Sequence, residues 1–275
     1  MALSKVDAIA IGGFDGMHMG HQRLFEALGE NGAIVVIETG YANLTPGSER
    51  EHYTHYPIVY YSLDDIRHLE GKEFIDLLKK RFPLLKKIVV GYDFHFGKNR
   101  RYSHSDLGEF FDGEVSVIDQ VSIDGDSVHS HKIRAKIQIG DIAGANRFLG
   151  HNYRIKGSVV KGQGIGKRDL VATINLECKG YLLPYEGVYA ALTRIKGEEH
   201  LHPSVVFVGH RVTTDGSYAI ESHILGEEIG ACSAASVCFV KFIRKNQKFE
   251  SLDALREAIQ NDIALAKTEL NRLSL

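Results

Sequence analysis

The chain has 275 residues, which allows one large domain or two of medium size, and we predict two. Hydrophobic residues make up 44% of the chain and charged residues 25%, which excludes the disordered and fibrous classes. The formal net charge of -2 argues against a protein that coats nucleic acid or an anionic membrane, so neither is an expected partner.

The cysteines and the N-terminus indicate the compartment. Three widely spaced cysteines without a C-x-x-C pair fit reduced cytosolic thiols better than a disulfide framework. Lys5 and Asp7 interrupt the first apolar stretch, so we predict no signal peptide. No apolar run approaches the roughly 18 to 20 residues that span a bilayer. We therefore expect a cytoplasmic protein.

The first half of the chain alternates strand and helix patterns. Apolar runs predict strands at residues 6–11, 33–37 and 87–91, while helical spacing predicts helices at 24–28 and 71–81. This order is typical of a parallel sheet with crossover helices.

Two further features close the first half. A strand at 115–121 leads to an Asp-Gly hairpin turn at 124–125, and two short helices then end at Gly140 and Gly150. The apolar positions of these helices are Ile133, Ile137, Ile139, Ile142, Ala145 and Phe148.

After Gly150 the pattern changes to strands separated by glycine-containing turns, which predicts an antiparallel barrel or sandwich. Ser251 is a candidate N-cap for a final helix with apolar residues at 252, 255, 259, 263 and 270. We therefore predict an α/β parallel-sheet domain at 1–150, followed at 151–275 by an antiparallel β-barrel domain with a C-terminal helix. The predicted strands are 153–160, 170–176, 187–195, 201–208, 218–225 and 236–243.

A glycine-rich segment follows the first predicted strand, where residues 12–21 read G-G-F-D-G-M-H-M-G-H. Ligands of open α/β sheets bind at this position. Glycines let backbone N–H groups approach phosphate oxygens, and the start of the next helix favours an anion. His18 and His21 are spaced to reach a polyphosphate. Two other interpretations stay open: a glycine-rich turn with exposed histidines, and a metal-binding H-x-x-H pair without an evident third ligand.

This segment resembles the G-x-F-D-G-x-H-x-G-H signature of bacterial flavin adenylyltransferases, which belong to the nucleotidyltransferase superfamily. Residues 90–97, V-G-Y-D-F-H-F-G, resemble the family's V-G-x-D-F-x-F-G, and residues 128–134 resemble its I-S-S-T-x-I-R. Here His129 and His131 replace a serine and a threonine of that last motif. The family's T-F-x-P-H-P is missing, and residues 37–41, I-E-T-G-Y, stand in its place.

The resemblance implies a nucleotidyltransferase-like domain with catalytic roles for three residues. His18 and His21 would contact the ATP phosphates, and Arg134 would stabilise the pyrophosphate leaving group. From the residues alone, Asp93 and Arg134 also fit solvated positions. The nucleotide-binding residues that the resemblance implies are Gly13, Phe14, Asp15, Gly16, Gly20, Asp93, Gly97 and Ser130.

A second glycine-rich segment, residues 157–168, carries four glycines and three cations. Such a loop can surround phosphates with backbone N–H groups, although a flexible turn between strands has the same composition. The glycines are Gly157, Gly162, Gly164 and Gly166.

The order of motifs after this loop resembles bacterial riboflavin kinase modules. A-T-I-N at 172–175 stands for P-T-A-N, P-Y-E-G-V-Y at 184–189 for P-x-G-V-Y, and E-S-H at 221–223 for E-x-H. The resemblance implies that Thr173 and Asn175 hold Mg²⁺ on ATP, and that Glu221, facing the barrel mouth, is the general base. Without it, all three fit ordinary strand residues. Residues 169–172, D-L-V-A, depart from the family's L-G-F-P.

Together the motifs follow the order of the bifunctional riboflavin kinase/FAD synthetase over nearly the whole chain. The resemblance implies an FMN adenylyltransferase (FAD synthetase) domain at 1–150, a riboflavin kinase domain at 151–275, and riboflavin, FMN and Mg²⁺-ATP as small-molecule ligands. Three alternatives remain: loss of one activity, expected for the adenylyltransferase; a non-catalytic flavin- or nucleotide-binding module; and adenylylation of another acceptor. The sequence predicts no oligomeric state.

Overall fold

The computed structural model describes residues 3–160, 172–213, 215–226 and 230–272. The chain forms two compact units, Met1–Ser130 and His131–Leu275. This division comes earlier than the domain boundary predicted at residue 150, because two helices that precede residue 150 belong mainly to the second unit.

The first unit is built from short strands and helices in alternation. Its helices are α1 (Met19–Glu26), α2 (Leu63–Ile66), α3 (Gly71–Arg81) and α4 (Leu107–Phe110). Its strands are β1 (Ala8–Gly12), β2 (Gly32–Glu38), β3 (Ile58–Ser62), β4 (Lys87–Gly91), β5 (His95–Phe96), β6 (Tyr102–Ser103), β7 (Glu114–Ile118), β8 (Ser122–Ile123) and β9 (Asp126–Ser127).

Five of these strands form a parallel sheet in the order β3-β2-β1-β4-β7. From β1 the chain builds outward through β2 and β3, then returns to place β4 on the other side of β1. The strand order therefore reverses between β1 and β4, and the crevice outside their carboxyl ends is where such sheets bind ligands. The segments that follow β1 and β4 carry the motifs found in the sequence.

Alternate residues of β1 enter two different cores. Ile9 and Ile11 pack with Val35 and Val90 on one face, and Ala8 and Ala10 pack with other residues on the opposite face. Helices cover both faces of such a sheet, so its strands are apolar without interruption. This explains why the predicted strands appeared as continuous apolar runs.

The predicted Asp-Gly turn is confirmed. Asp124 and Gly125 have φ angles of 51° and 80° and connect β8 to β9. Two successive positive φ angles define the type I′ turn that suits a two-residue hairpin. Strand β7 is shorter than predicted, and β3 was not predicted.

The second unit contains most of α5 (Ser130–Gln138), which begins at the last residue of the first unit, and all of α6 (Ile142–Leu149). Asp141 caps α6 by accepting a hydrogen bond from Gly144 N, and Gly150 ends it with φ 77°. Helix α5 ends before Ile139, which is 72% exposed and outside the apolar face predicted for it.

Six strands then form a closed antiparallel barrel in the order β10-β11-β14-β13-β12-β15, which settles the choice between barrel and sandwich. The predicted strands at 153–160 and 187–195 have the observed bounds. Part of the strand predicted at 170–176 lies outside the described residues. The barrel strands are β10 (Tyr153–Val160), β11 (Ile174–Glu177), β12 (Gly187–Ile195), β13 (His202–His210), β14 (Tyr218–Ile224) and β15 (Ala234–Lys245).

Helix α7 (Leu252–Asn271) packs on the outside of the barrel against β12, β13 and β15. Ser251 caps it as predicted, accepting a hydrogen bond from Ala254 N at 3.1 Å. Ala266 and Leu270 are buried against the barrel, whereas Leu252 is 49% exposed in the first turn. Within the described residues, no helix combines the length and apolar character needed to cross a membrane.

Candidate functional sites

The segment 12–21 makes a tight passage from β1 to α1. Phe14, Gly16 and Met17 have positive φ angles of 46°, 90° and 45°. Such angles are strained for residues with side chains and persist only where surrounding contacts enforce them. Phe14 and Met17 are buried in the core, and the Phe14 ring packs against Phe25 with centroids 5.1 Å apart. The backbone of Phe14 can therefore contact a nucleotide, but its buried ring cannot.

Asp15 links this segment by hydrogen bonds to a second loop, which contains Leu44 and Thr45. Its Oδ1 accepts hydrogen bonds from the backbone N–H groups of Leu44 and Thr45, at 3.0 and 2.9 Å. Gly16 N donates to Thr45 Oγ1 at 2.8 Å, and Ser130 Oγ donates to Asp15 O at 2.7 Å. The structure thus brings predicted residues 15, 16 and 130 together. The Asp15 carboxylate holds protein backbone in this arrangement.

His18 and His21 meet at the start of α1. Their rings stack with centroids 3.5 Å apart and an interplanar angle of 19°. His18 is the N-cap of α1, and its Nδ1 accepts a hydrogen bond from His21 N at 3.4 Å. A neutral His18 ring therefore carries its proton on Nε2, because Nδ1 acts as the acceptor. Gly20 leaves room for this arrangement, since a Cβ at that position would lie 3.2 Å from the His18 ring.

The environment of His21 keeps its imidazole neutral. Burial, with His18 and Arg50 close by, lowers the pKa of His21 well below its usual value. Its Nδ1 is buried and has no hydrogen-bond partner in the part of the chain that the structure describes. A neutral ring has one N–H to donate and one nitrogen that accepts. It can therefore bind a phosphate oxygen by a hydrogen bond without an ion pair.

Arg50 is the main feature of this site that sequence reasoning missed. Its side chain is fully buried and donates to the carbonyl oxygens of Gly13 and Phe14, at 3.1 and 3.3 Å. It also pairs with Glu38 at 2.6 Å, and Glu38 belongs to the segment that stands in place of T-F-x-P-H-P. Arg50 carries no sequence signal, because arginines in polar stretches are usually solvated.

The residues predicted near β4 occupy the same edge of the sheet. Asp93 is exposed in the turn after β4. His129 contacts the Tyr92 hydroxyl at 3.4 Å and Gln120 Nε2 at 2.9 Å, which ties the altered I-S-S-T position to the β4 edge. Gly97 has φ 73°, and a Cβ there would lie 2.6 Å from the Tyr102 ring. Local packing therefore requires a glycine at this position.

Arg134 lies on α5 within the second compact unit. Its predicted role at the pyrophosphate, and the nucleotide-binding roles of the residues above, stay predictions.

The second site lies on the outer wall of the barrel. Glu221 of β14 is in register with Asn175 of β11 and with Phe207 of β13. Cross-strand partners share a face of a sheet, and Phe207 packs with the cluster that α7 covers, so Glu221 also faces outward. The Glu221 side chain therefore does not point into the interior of the barrel. The buried hydroxyls of Thr193, Ser204 and Ser222 occupy the interior.

Thr173 lies just before β11, beside this pair. His223 Nδ1 pairs with Ala172 O at 2.8 Å, so the segment that carries Thr173 continues along β14. The structure therefore places Asn175 and Glu221 on neighbouring strands, with Thr173 directly before the first of them. Hydroxyl and amide oxygens are ligands that Mg²⁺ accepts, so the donor set fits this cation.

Arg211 joins the predicted base, Glu221, to a predicted metal ligand, Asn175. Its Nε and Nη2 both donate to Glu221 Oε1, at 3.2 and 2.7 Å, and Nη2 also donates to Asn175 Oδ1 at 2.7 Å. Among the described residues, none donates to the other carboxylate oxygen, Oε2, which is left to accept a proton. Sequence reasoning missed Arg211 as well.

The other kinase motifs are divided between described and undescribed parts of the chain. Gly157 lies in β10, where a Cβ would stand 2.7 Å from Glu177 O. Gly162, Gly164 and Gly166 lie outside the described residues. The Tyr189 hydroxyl donates to Tyr185 O within P-Y-E-G-V-Y. A cavity of about 930 Å³ opens beside this motif, and Tyr185, Tyr218, Lys245 and Lys248 contribute to its wall.

Neither a zinc site nor a reactive thiol is found in the described regions. They contain no group of three or more His, Cys, Asp or Glu side chains that could hold a metal ion. All three cysteines are free thiols, and burial raises the pKa of Cys178 to about 12, which keeps it protonated.

An H-x-G-H segment at the switch point of a parallel sheet, followed by a barrel with a glutamate beside oxygen ligands, defines a class of nucleotide-dependent transferases. A family model described as riboflavin kinase matches residues 149–270. The bifunctional riboflavin kinase/FMN adenylyltransferase of Pseudomonas fluorescens is 30% identical, over 94% of this chain and 91% of the relative. The protein of the same name from Listeria monocytogenes is 28% identical, over 92% of this chain and 89% of the relative.

The chain therefore belongs to the family of bifunctional riboflavin kinase/FMN adenylyltransferases, which confirms the resemblance found in the sequence. A crystal structure of a Streptococcus pneumoniae protein named macrolide-efflux protein is also similar. It has a TM-score of 0.82 and 26% identity, covering 95% of this chain and 94% of that one. This similarity confirms the predicted fold class.

Proposed function

We propose that this chain makes FAD in two ATP-dependent steps. The barrel region, 151–275, phosphorylates riboflavin to FMN, and the region 1–150 adenylylates FMN to FAD with release of pyrophosphate. Family membership over nearly the full length supports both steps. The match of the riboflavin kinase model to residues 149–270 supports the assignment of the first step to the barrel.

In the kinase step, Glu221 Oε2 accepts the proton of the riboflavin 5′-hydroxyl as its oxygen attacks the γ-phosphorus of ATP. The bond between that phosphorus and the β–γ bridging oxygen breaks, and ADP leaves. Thr173 and Asn175 would hold Mg²⁺. The bound cation would neutralise charge that develops on the phosphate oxygens. Arg211 holds Oε1, so that Oε2 is the oxygen directed to the substrate.

In the adenylyl-transfer step, a phosphate oxygen of FMN attacks the α-phosphorus of ATP and pyrophosphate leaves. This chemistry needs alignment and charge stabilisation more than a protein nucleophile. The neutral His21 and the Nε2–H of His18 would bind phosphate oxygens, and Arg134 would neutralise the pyrophosphate. The segment 12–21 holds the two histidines in place.

One observation carries the proposal: the predicted base and metal ligand, Glu221 and Asn175, are cross-strand partners bridged by Arg211. The test separates the half-reactions. Purified protein receives either riboflavin or FMN, each with ATP and Mg²⁺, and the flavins are separated by chromatography. We expect FMN and ADP from the first mixture and FAD with pyrophosphate from the second.

The altered adenylyltransferase motifs favour one alternative, a riboflavin kinase with an inactive first unit. FMN formation without any FAD from supplied FMN would support that alternative. Flavin binding without turnover in either mixture would instead indicate a binding module and contradict both proposed activities.

A further inference from the structure

Arg50 makes an unusually complete set of contacts for an arginine without a predicted role. It donates to three backbone carbonyl oxygens, those of Gly13, Phe14 and Gly47, at 3.1, 3.3 and 3.1 Å. It also donates to both carboxylate oxygens of Glu38, at 2.6 and 3.4 Å. Its side chain has no exposed surface, whereas that of Glu38 is 28% exposed.

These contacts explain how the loop keeps its conformation. A buried cation is costly unless a counter-charge and hydrogen bonds compensate it, and here Glu38 and the three carbonyls do so. The planar guanidinium can serve several acceptors in fixed directions, which a lysine ammonium on a flexible stem cannot reproduce. Two of the acceptors belong to Gly13 and Phe14. The hydrogen bond from Arg50 to the Phe14 carbonyl therefore stabilises the left-handed conformation of Phe14.

The same contacts place a charge near the histidine pair. The charged and titratable groups that lower the pKa of His21 are His18, stacked on it, and Arg50. Glu38 pairs with Arg50 at 2.6 Å and partly offsets its charge. Arg50 thus influences both the position of the loop and the protonation of the ring.

We propose that Arg50, held by Glu38, is a positioning residue of the adenylyltransferase site that sets the backbone of Gly13 and Phe14 and so places His18 and His21 on the ATP phosphates. This chain lacks T-F-x-P-H-P, and Glu38 lies in the segment that replaces that motif. The ion pair of Arg50 with Glu38 therefore stabilises the site in a way that is particular to this chain. The inference rests on the proposed adenylyltransferase function of the first unit.

The test compares Arg50→Lys and Arg50→Gln with the wild type and with Arg23→Lys. Arg23 is a matched control, because it belongs to the same unit and forms only an exposed ion pair with Glu26. For each protein, kcat and the KM values for FMN and ATP are measured in FAD formation. FMN formation by the barrel in the same molecule reports whether the protein preparation is intact, and NMR follows the titration of His21.

We expect kcat for FAD formation to fall about tenfold to a hundredfold in both Arg50 variants, with KM changed less, because misplaced groups mainly weaken the transition state. FMN formation stays at the wild-type rate in both Arg50 variants, and Arg23→Lys keeps the wild-type kcat for FAD formation. The pKa of His21 rises in Arg50→Gln, which removes one neighbouring charge but leaves the burial and His18, and does not rise in Arg50→Lys, which retains the charge. A fall in kcat for FAD formation with little change in KM, while FMN formation is unchanged, is the result that a purely structural arginine would not produce.

Folded Arg50 variants with wild-type kcat would overturn the role of Arg50. Wild-type protein that forms no FAD would instead overturn the proposed function. If the first unit of both variants fails to fold, Glu38→Gln replaces them, since it keeps an acceptor for Arg50 and removes the counter-charge. A several-fold loss of FAD formation in the folded Glu38→Gln protein supports the proposal, and an unchanged kcat rejects it.

Discussion

Asn175 and Glu221 are cross-strand partners on β11 and β14, and Arg211 bridges them through one nitrogen, Nη2, 2.7 Å from each. Pairing places the two side chains on one outer face of the barrel. The bridge fixes Glu221 by Oε1 and Asn175 by Oδ1 at the same time. The orientation of the proposed base and that of the proposed metal ligand are therefore linked.

This link predicts the effect of Arg211→Lys. Lysine keeps the charge but cannot serve both acceptors in fixed directions, so kcat for FMN formation should fall about tenfold to a hundredfold. Steady-state kinetics with riboflavin gives kcat and KM separately, and FAD formation from supplied FMN should not change. Arg256→Lys, on the exposed face of α7, is the control. Equal loss in both variants would contradict a specific role for Arg211.

Replacement of the proposed base tests the chemistry itself. Glu221→Gln keeps the shape of the side chain and can still accept hydrogen bonds from Arg211, but it cannot take a proton. FMN formation should fall about 10²- to 10⁴-fold, the usual contribution of a general base. Glu257→Gln, an exposed residue of α7, should remain active. Glu221→Gln protein that forms FMN at the wild-type rate would rule out Glu221 as the base.

Close packing at His18 predicts the effect of Gly20→Ala. The new Cβ would lie 3.2 Å from the His18 ring and displace it by a few tenths of an ångström. FAD formation should fall by about three- to tenfold, because the phosphate contacts depend on alignment. Gly108→Ala is a matched control in α4, where a Cβ meets nothing within 4 Å. That control should keep its activity and gain about 0.5 to 1 kcal/mol of stability.

The neutral state of His21 predicts how stability depends on pH. Its folded-state pKa is lowered below that of the unfolded chain, so the unfolded chain binds the proton more readily. Titration of His21 leaves the free energy of unfolding unchanged above about pH 6.5, the pKa of histidine in the unfolded chain. Below that pH it lowers the free energy of unfolding as the pH falls. In thermal unfolding, His21→Gln should lose less stability on acidification than the wild type.

His68→Gln, which replaces an exposed histidine of the same unit, is the matched control. An NMR titration provides the direct check on His21. A pKa at or above its usual value in the folded protein would contradict the burial argument.

Much of the fold could be predicted, because the core imposes regular patterns on the sequence. Period-two alternation and glycines defined β10 and β12 with their observed bounds, and the type I′ turn at 124–125 followed from Asp-Gly chemistry. Strand β3 was missed, since it lies at the edge of the sheet and its five half-buried or exposed residues, I-V-Y-Y-S, lack the continuous apolar run that marks β1 and β4. The contact-based division at Ser130 depends on helix packing, which no local pattern records.

The candidate sites could be predicted only as far as their motifs extend. Resemblance to the H-x-G-H and E-x-H motifs pointed to His18, His21 and Glu221, whose roles stay predictions. Arg50 and Arg211 act through acceptors distant in the sequence, so nothing near them indicates that they are buried or that they bridge other residues. The burial of the Phe14 ring likewise depends on backbone angles that only the folded loop reveals.

The most direct test of the central claim is a time course with riboflavin, ATP and Mg²⁺ in one mixture, with the flavins separated by chromatography. The account predicts that FMN appears first and is then converted to FAD, while Glu221→Gln forms FMN from riboflavin about 10²- to 10⁴-fold more slowly but still forms FAD from supplied FMN at the wild-type rate. Riboflavin that stays unchanged in the presence of folded wild-type protein would contradict the account.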